Sequence, residues 1–182
     1  MTFRTLDDAP VQGKPVLLRL DLNVPFENGR VSDATRIDRA LPTLRDLAAK
    51  GARIVVLSHF GRPKNGPDEE NSLKPVAAVL ADHLKKPVAF ANDCIGETAQ
   101  KAIDALKDGE VLLLENTRFH KGEEKNDPAF VAELAKLGDI YVNDAFSAAH
   151  RAHASTEGLA HKLPAFAGRG MQAELEALGA AL

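Results

Sequence analysis

Four arginines, Arg36, Arg62, Arg118 and Arg151, each lie in or just beyond a loop that follows an apolar run. A guanidinium offers a planar fork of donors matching phosphate and carboxylate oxygens, and it stays charged at any working pH. Four such forks at one place suit a small ligand with about three negative charges. Singly, each also fits a solvated surface cation or a partner for one of the 26 acids. His59 belongs to Ser58-His59-Phe60-Gly61-Arg62-Pro63-Lys64, where it can donate to an anion or hold an adjacent arginine. Asp21 can accept from a substrate hydroxyl and Asn23 can donate to an anion, although turn formation before Pro25 explains both equally well. His150 and His153 have the spacing of a metal pair, but no third ligand follows regularly, so no metal site is expected.

These loops need strands to deliver them. Val16 to Leu22 within Pro15–Leu22, then Ala52–Leu57, Val88–Ala91, Val111–Leu114 and Ile140–Val142 are short apolar runs of the kind buried on both faces of a parallel sheet. Helical spacing separates them. Ile37, Leu41, Leu44 and Leu47 form one stripe, with Asp33 or Asp38 as cap and Pro42 tolerated only in the first turn. Ser72 caps a second helix through Leu84, Asp93 a third through Leu106, and Asp127-Pro128 opens a fourth that ends at Gly138. Ser155 is expected to cap a short helix to Lys162, and Met171, Leu175, Leu178 and Leu182 mark a last one that stops without a terminating residue. Strand and helix alternate about five times, which predicts an α/β fold: a three-layer, Rossmann-like α/β/α domain with a parallel sheet covered on both faces. Ligands bind such sheets at the carboxyl ends of the strands, where the arginines lie. Strand order is not legible.

With 182 residues and 45% hydrophobic composition, the chain can bury one good core. A net charge of -3 argues against binding nucleic acid through broad cationic attraction, so the arginines form a local site. The one cysteine, Cys94, fits a reducing compartment and reads as core filler. No apolar run is long enough to cross a bilayer and the first ten residues lack a signal pattern, so a soluble cytoplasmic protein is expected. Gly168-Arg169-Gly170-Met171-Gln172-Ala173 satisfies a loose dinucleotide pattern, but Lys162 to Ala167 does not read as a strand, so dinucleotide binding is not expected.

Taken together, Arg19-Leu-Asp21-Leu-Asn23-Val-Pro25, Ser58-His59-Phe-Gly61-Arg62-Pro63-Lys64, Leu113-Leu-Glu115-Asn116-Thr-Arg118-Phe119, Asn143-Asp144-Ala-Phe146 and His150-Arg151-Ala-His153-Ala-Ser155 resemble the amino-terminal half of the phosphoglycerate kinase family. The resemblance implies a domain over residues 1–170 that binds 3-phosphoglycerate or 1,3-bisphosphoglycerate. It further implies that 171–182 begin an interdomain helix, and that a carboxyl-terminal nucleotide domain is absent. By motif, Asp21 and Asn23 would meet the substrate's hydroxyl and carboxylate end, His59, Arg62, Arg118 and Arg151 its anionic groups, and Arg36, as the catalytic residue, the phosphoryl group in flight. Magnesium with ADP or ATP would be held by the missing domain and no cofactor by this chain, which is expected to be a monomer that does not turn over alone. Ser147 stands where many relatives carry glycine. A non-catalytic anion-binding or interaction module, its last helix docking a partner through Met171, Leu175 and Leu178, is the alternative.

Overall fold

The computed structural model describes residues 3–181. Six parallel strands, β1 (Pro15–Arg19), β4 (Arg53–Leu57), β5 (Val88–Ala91), β6 (Val111–Leu114), β7 (Ile140–Asn143) and β8 (Ala165–Ala167), form one sheet in the order β5-β6-β4-β1-β7-β8. A small antiparallel ribbon pairs β2 (Phe26–Glu27) with β3 (Arg30–Val31). The helices are α1 (Thr35–Ala49), α2 (Lys74–Leu84), α3 (Gly96–Asp104), α4 (Pro128–Ala135), α5 (Leu159–Lys162) and α6 (Arg169–Ala181).

The period-two alternation of strand side chains splits the apolar runs between two cores. Val16, Leu18, Ile54, Val56, Val111 and Leu113 pack with residues of α1 and α2 on one face. Leu17, Val55, Leu57, Leu112, Leu114 and Tyr141 pack with residues of α3 and α4 on the other. The expected parallel sheet covered on both faces is what the chain forms. From β1 the chain crosses to β4 on one side, whereas from β7 it crosses to β8 on the other. The topological switch point, where open sheets leave a crevice, therefore lies between the carboxyl ends of β1 and β7.

Several local expectations are corrected. β1 ends at Arg19, not Leu22: Leu20 and Leu22 stay buried, but after Leu20 bonds to Leu57 the chain leaves the ladder and carries Asp21 and Asn23 to the rim. Pro42 lies in the middle of α1 rather than in its first turn. Ile37, Leu44 and Leu47 are wholly buried around it, and that packing outweighs the roughly 3 kcal/mol a mid-helix proline costs. Asp33, not Asp38, serves the start of α1 by accepting from the Thr35 amide at 2.9 Å. Asp93 does not cap α3, which begins at Gly96 and ends at Asp104; its carboxylate is taken by the Cys94 amide and His120. Ser72 lies one residue before the α2 cap position, Leu73. Ser155 caps nothing: it is buried inside a π-type turn, Ala154–Gly158. Lys162 to Ala167 does contain a strand, β8, so the glycine pattern follows a strand after all. It still does not open toward a phosphate, because the Asp144 carboxylate takes the Met171 amide at the start of α6 at 2.9 Å. On α6, Met171 is buried and Leu178 is half exposed, while Leu182 lies outside the described residues.

Close packing also sets a stability prediction. A Cβ on Gly138 would sit 2.7 Å from Leu17 Cγ and 3.2 Å from the Pro15 carbonyl, both on the central strand. Gly138→Ala should therefore destabilise by about 1–3 kcal/mol, read as a lower urea midpoint with unchanged slope. An unmoved midpoint would show that β1 yields more easily than its burial implies.

Candidate functional site

The site grows from a charge inside the sheet. Arg19, the last residue of β1, is wholly buried, so every guanidinium donor needs an acceptor. Its Nε donates to Ser155 Oγ at 2.9 Å, one terminal nitrogen donates to the Leu20 carbonyl, and the other meets His59 Nδ1 at 2.8 Å. Ser155 Oγ in turn donates to Glu123 Oε2 at 2.5 Å, and the Ser155 amide donates to Glu123 Oε1 at 2.7 Å. Glu123 is also wholly buried. A serine hydroxyl thus bridges a buried cation and a buried carboxylate, and Tyr141 Oη anchors the same turn by donating to the Ser155 carbonyl at 2.8 Å.

Arg19 also sets the state of His59. A guanidinium only donates, so Nδ1 accepts and the ring proton sits on Nε2. Burial, then the charges of Arg19 and Arg118, with Arg151 adding to them and Asp21 opposing, hold the imidazole pKa down at about 3. His59 is therefore a neutral donor at physiological pH. Because the folded pKa lies below the unfolded value of 6.5, protonation favours the unfolded chain. Its contribution to stability is intact above pH 6.5 and is lost as pH falls toward about 3. The His59 ring resonances should stay at their neutral positions at pH 5; a titration centred near 6.5 would contradict the Arg19 contact.

The rim is continuous. Arg36 Nε lies 3.5 Å from Asp21 Oδ2, and the Arg36 guanidinium also donates to the Asn23 carbonyl. Asn23 Oδ1 accepts from the Gly61 amide at 2.9 Å, and the Gly61 carbonyl lies 3.5 Å from an Arg118 terminal nitrogen. Gly61 has φ +62°, and a Cβ there would fall 2.1 Å from Asn71 Oδ1, so the turn requires glycine. Asn116 ties the loops after β4 and β6 together: its Oδ1 accepts from the Phe60 and Arg118 amides at 3.1 and 3.0 Å, and its Nδ2 donates to the Phe60 carbonyl at 2.6 Å. Arg118 is held there with its Nε buried and without an acceptor. Burial lowers its pKa, Glu124 opposes, and Arg151 and Arg19 lower it further, so the cations feel one another.

Arg151 is exposed after the turn Phe146–Ala148, yet its charge acts on His59, Arg118 and His153. Arg62 is exposed on the residue after Gly61. Of the sequence candidates, Asp21, Asn23 and Arg36 are joined directly and Arg118 is joined to them through Gly61, whereas His59 meets the buried Arg19, Arg151 acts on His59 and Arg118 only through its charge, and among the described residues no hydrogen bond or ion pair joins Arg62 to the others. On the Asp21 side a cavity of about 530 Å³ lies at the switch point, lined in part by Asp21, Arg36, Ala145, Phe146 and Ser147. Ser147 Oγ donates to Asp21 Oδ2 at 2.5 Å, so the serine adds a hydrogen bond to an oxygen that glycine would leave to Arg36 alone.

Sequence reasoning gave no role to Arg19, Glu123 or Asn116 and only a capping role to Ser155. Arg19 was detectable, as a charge flanked by Leu18 and Leu20 inside an apolar strand. Glu123 gave no signal, because it sits in the run Lys121 to Lys125, which reads as solvated surface.

Comparison with known proteins finds relatives over nearly the whole chain. The family model described as phosphoglycerate kinase matches residues 6–182. The phosphoglycerate kinase of Rhodopseudomonas palustris is 70% identical over 181 residues, covering 100% of this chain and 45% of that protein. That of Bradyrhizobium diazoefficiens is 72% identical over 180 residues, covering 99% and 45%. Among solved structures, phosphoglycerate kinase from Coxiella burnetii superposes with a TM-score of 0.89 at 40% identity, covering 100% of this chain and 45% of that one. The enzyme from Pyrococcus horikoshii gives 0.88 at 37%, covering 97% and 45%. The chain therefore spans less than half the length of these relatives. Its fold over that span matches that of the solved relatives, and it belongs to the phosphoglycerate kinase family.

Proposed function

We propose that this chain supplies the 3-phosphoglycerate side of a phosphoglycerate kinase, which moves a phosphoryl group between 1,3-bisphosphoglycerate and ADP. The observation that carries the reading is Arg118: a partly buried guanidinium with a terminal nitrogen held only by a long 3.5 Å contact to the Gly61 carbonyl, beside the neutral donor His59 and within the field of Arg151. An anion seated there takes the terminal nitrogens of Arg118 in place of that weak contact. Arg62, Arg118 and Arg151 neutralise the phosphate and carboxylate, while His59 donates through Nε2. Asp21 accepts from the substrate hydroxyl and Asn23 helps hold the carboxylate end.

Phosphoryl transfer asks for positioning and charge neutralisation more than for a nucleophile from the protein, which suits a rim of arginines. Arg36 is half exposed and pairs only with Asp21 and the Asn23 carbonyl, so it is free at small cost to turn onto the transferring group. Magnesium-bound nucleotide, when present, supplies the acceptor oxygen and neutralises charge on the phosphates. Among the described residues the glycine turn before α6 packs against Asp144, a poor approach for a pyrophosphate, so the nucleotide belongs to the part of the enzyme that the relatives have beyond this span.

The chain alone should bind 3-phosphoglycerate and form no ATP. Mixed with a separately made nucleotide-binding half of a relative, ADP and 1,3-bisphosphoglycerate, it should form ATP, and Arg36→Ala should abolish this. A mixture that associates but stays inactive would contradict the reading.

A further inference from the structure

One group of ligand-bearing side chains lies outside the anion site. Asp93 and Cys94 sit in the loop between β5 and α3, and His120 follows the turn after β6, 26 residues further on. A carboxylate oxygen, the thiol sulfur and an imidazole nitrogen from these three lie within 4.8 Å of one another. From this convergence we infer a binding site for one divalent transition-metal ion of the zinc class, held by Asp93, Cys94 and His120.

The donor set decides the class of ion. Sulfur, nitrogen and oxygen together suit zinc or cobalt and are poor for magnesium or calcium, which take oxygen. Ligand atoms around a tetrahedral zinc stand about 3.4 Å apart, given bonds of about 2.0 to 2.3 Å. In this structure His120 Nε2 and Asp93 Oδ1 are 2.7 Å apart, a hydrogen bond that must open by less than about 1 Å, and the sulfur lies within 4.8 Å of both, so it must close by no more than about 1.4 Å.

The surroundings favour a cation. Burial first, and then the carboxylates of Asp93, Glu123 and Glu115, hold the Cys94 sulfur as the neutral thiol while no metal is bound, and the same carboxylates attract a cation. The site is also held in place. His120 stacks on Phe130 with ring centroids 5.1 Å apart, and the Cys94 amide donates to Asp93 Oδ1 at 2.7 Å. Cys94 is buried, whereas the side chains of Asp93 and His120 are 42% and 31% exposed, so the ion enters from their side and a water completes the fourth position. On binding, the thiol proton leaves to solvent and the thiolate forms the metal–sulfur bond. His120 lies two residues after Arg118, so an occupied site would pin the loop after β5 to the turn that presents that arginine.

The expectation of no metal drawn from His150 and His153 concerned a different pair. This cluster was hidden because its members come from two separate loops.

Cobalt(II) titration of the purified chain tests the site. Cys94 is the only cysteine, so a thiolate-to-cobalt charge-transfer band in the near ultraviolet can arise from no other residue. One equivalent of cobalt should produce that band, and one equivalent of zinc should bleach it. Cys94→Ser should remove it, and His120→Gln, at a partly exposed position that leaves the core intact, should weaken binding at least tenfold. No band at saturating cobalt, or a band of equal affinity in His120→Gln, would overturn the proposal. Binding of 3-phosphoglycerate is read separately and does not bear on this outcome.

Discussion

Glu123→Ala should destabilise the chain by about 3–5 kcal/mol, the order of loss expected when one of two buried opposite charges, here bridged by a serine, is removed and the other is left inside. Arg19 and Glu123 are both wholly inside, linked through Ser155 Oγ by bonds of 2.9 and 2.5 Å. Without the carboxylate, Arg19 keeps a charge in the core with only the serine, the Leu20 carbonyl and His59 around it. The Ser155 amide also loses its acceptor. Glu123→Gln retains a carbonyl oxygen for that amide but not the charge, so it should fall between wild type and alanine. Urea unfolding at neutral pH measures the series. A loss below about 1 kcal/mol for Glu123→Ala would mean that water reaches Arg19, and that the charge is not enclosed as described.

Arg118→Ala should weaken 3-phosphoglycerate binding about 10- to 100-fold, the worth of one or two charge-assisted hydrogen bonds, with little loss of stability. The second half of this expectation is the sharper one. Arg118 makes one long contact to the Gly61 carbonyl and has a buried Nε without an acceptor, so the empty site gains little from it. Arg118→Lys should not restore affinity, because an ammonium lacks the planar fork. Calorimetric titration of the variants reads the first part and thermal unfolding the second. Unchanged affinity would remove Arg118 from the site, and a large loss of stability would make it a structural residue.

The parts of this architecture that repeat along the chain were legible in the sequence. Val16 to Leu18, Val55 to Leu57 and Val111 to Leu114 announced buried parallel strands, and the polar residues just beyond them marked the rim. Strand order was not legible, because the switch point between β1 and β7 arises from crossovers that leave no local trace. β8 is only three residues, Ala-Phe-Ala, and its pairing with β7 rather than its composition makes it a strand. Pro42 misled because tertiary packing overrode a local rule. The loop arginines were legible because charge beside glycine and small polar residues is unusual in solvated helices. The support beneath them was not: a buried glutamate inside a short charged run looks like surface until Arg19, more than a hundred positions away in the chain, is seen on the far side of Ser155.

The most direct test of the account is selectivity among anions, measured by calorimetry at low ionic strength where exposed charges are least screened. Titrated into the chain, 3-phosphoglycerate should give saturable heat with one site per molecule. Sulfate should bind far more weakly, since it can engage part of the arginine rim but not Asp21 and Asn23 as well. Equal affinity for the two anions, or no heat from 3-phosphoglycerate at millimolar concentration, would contradict a site built for one small sugar-acid phosphate.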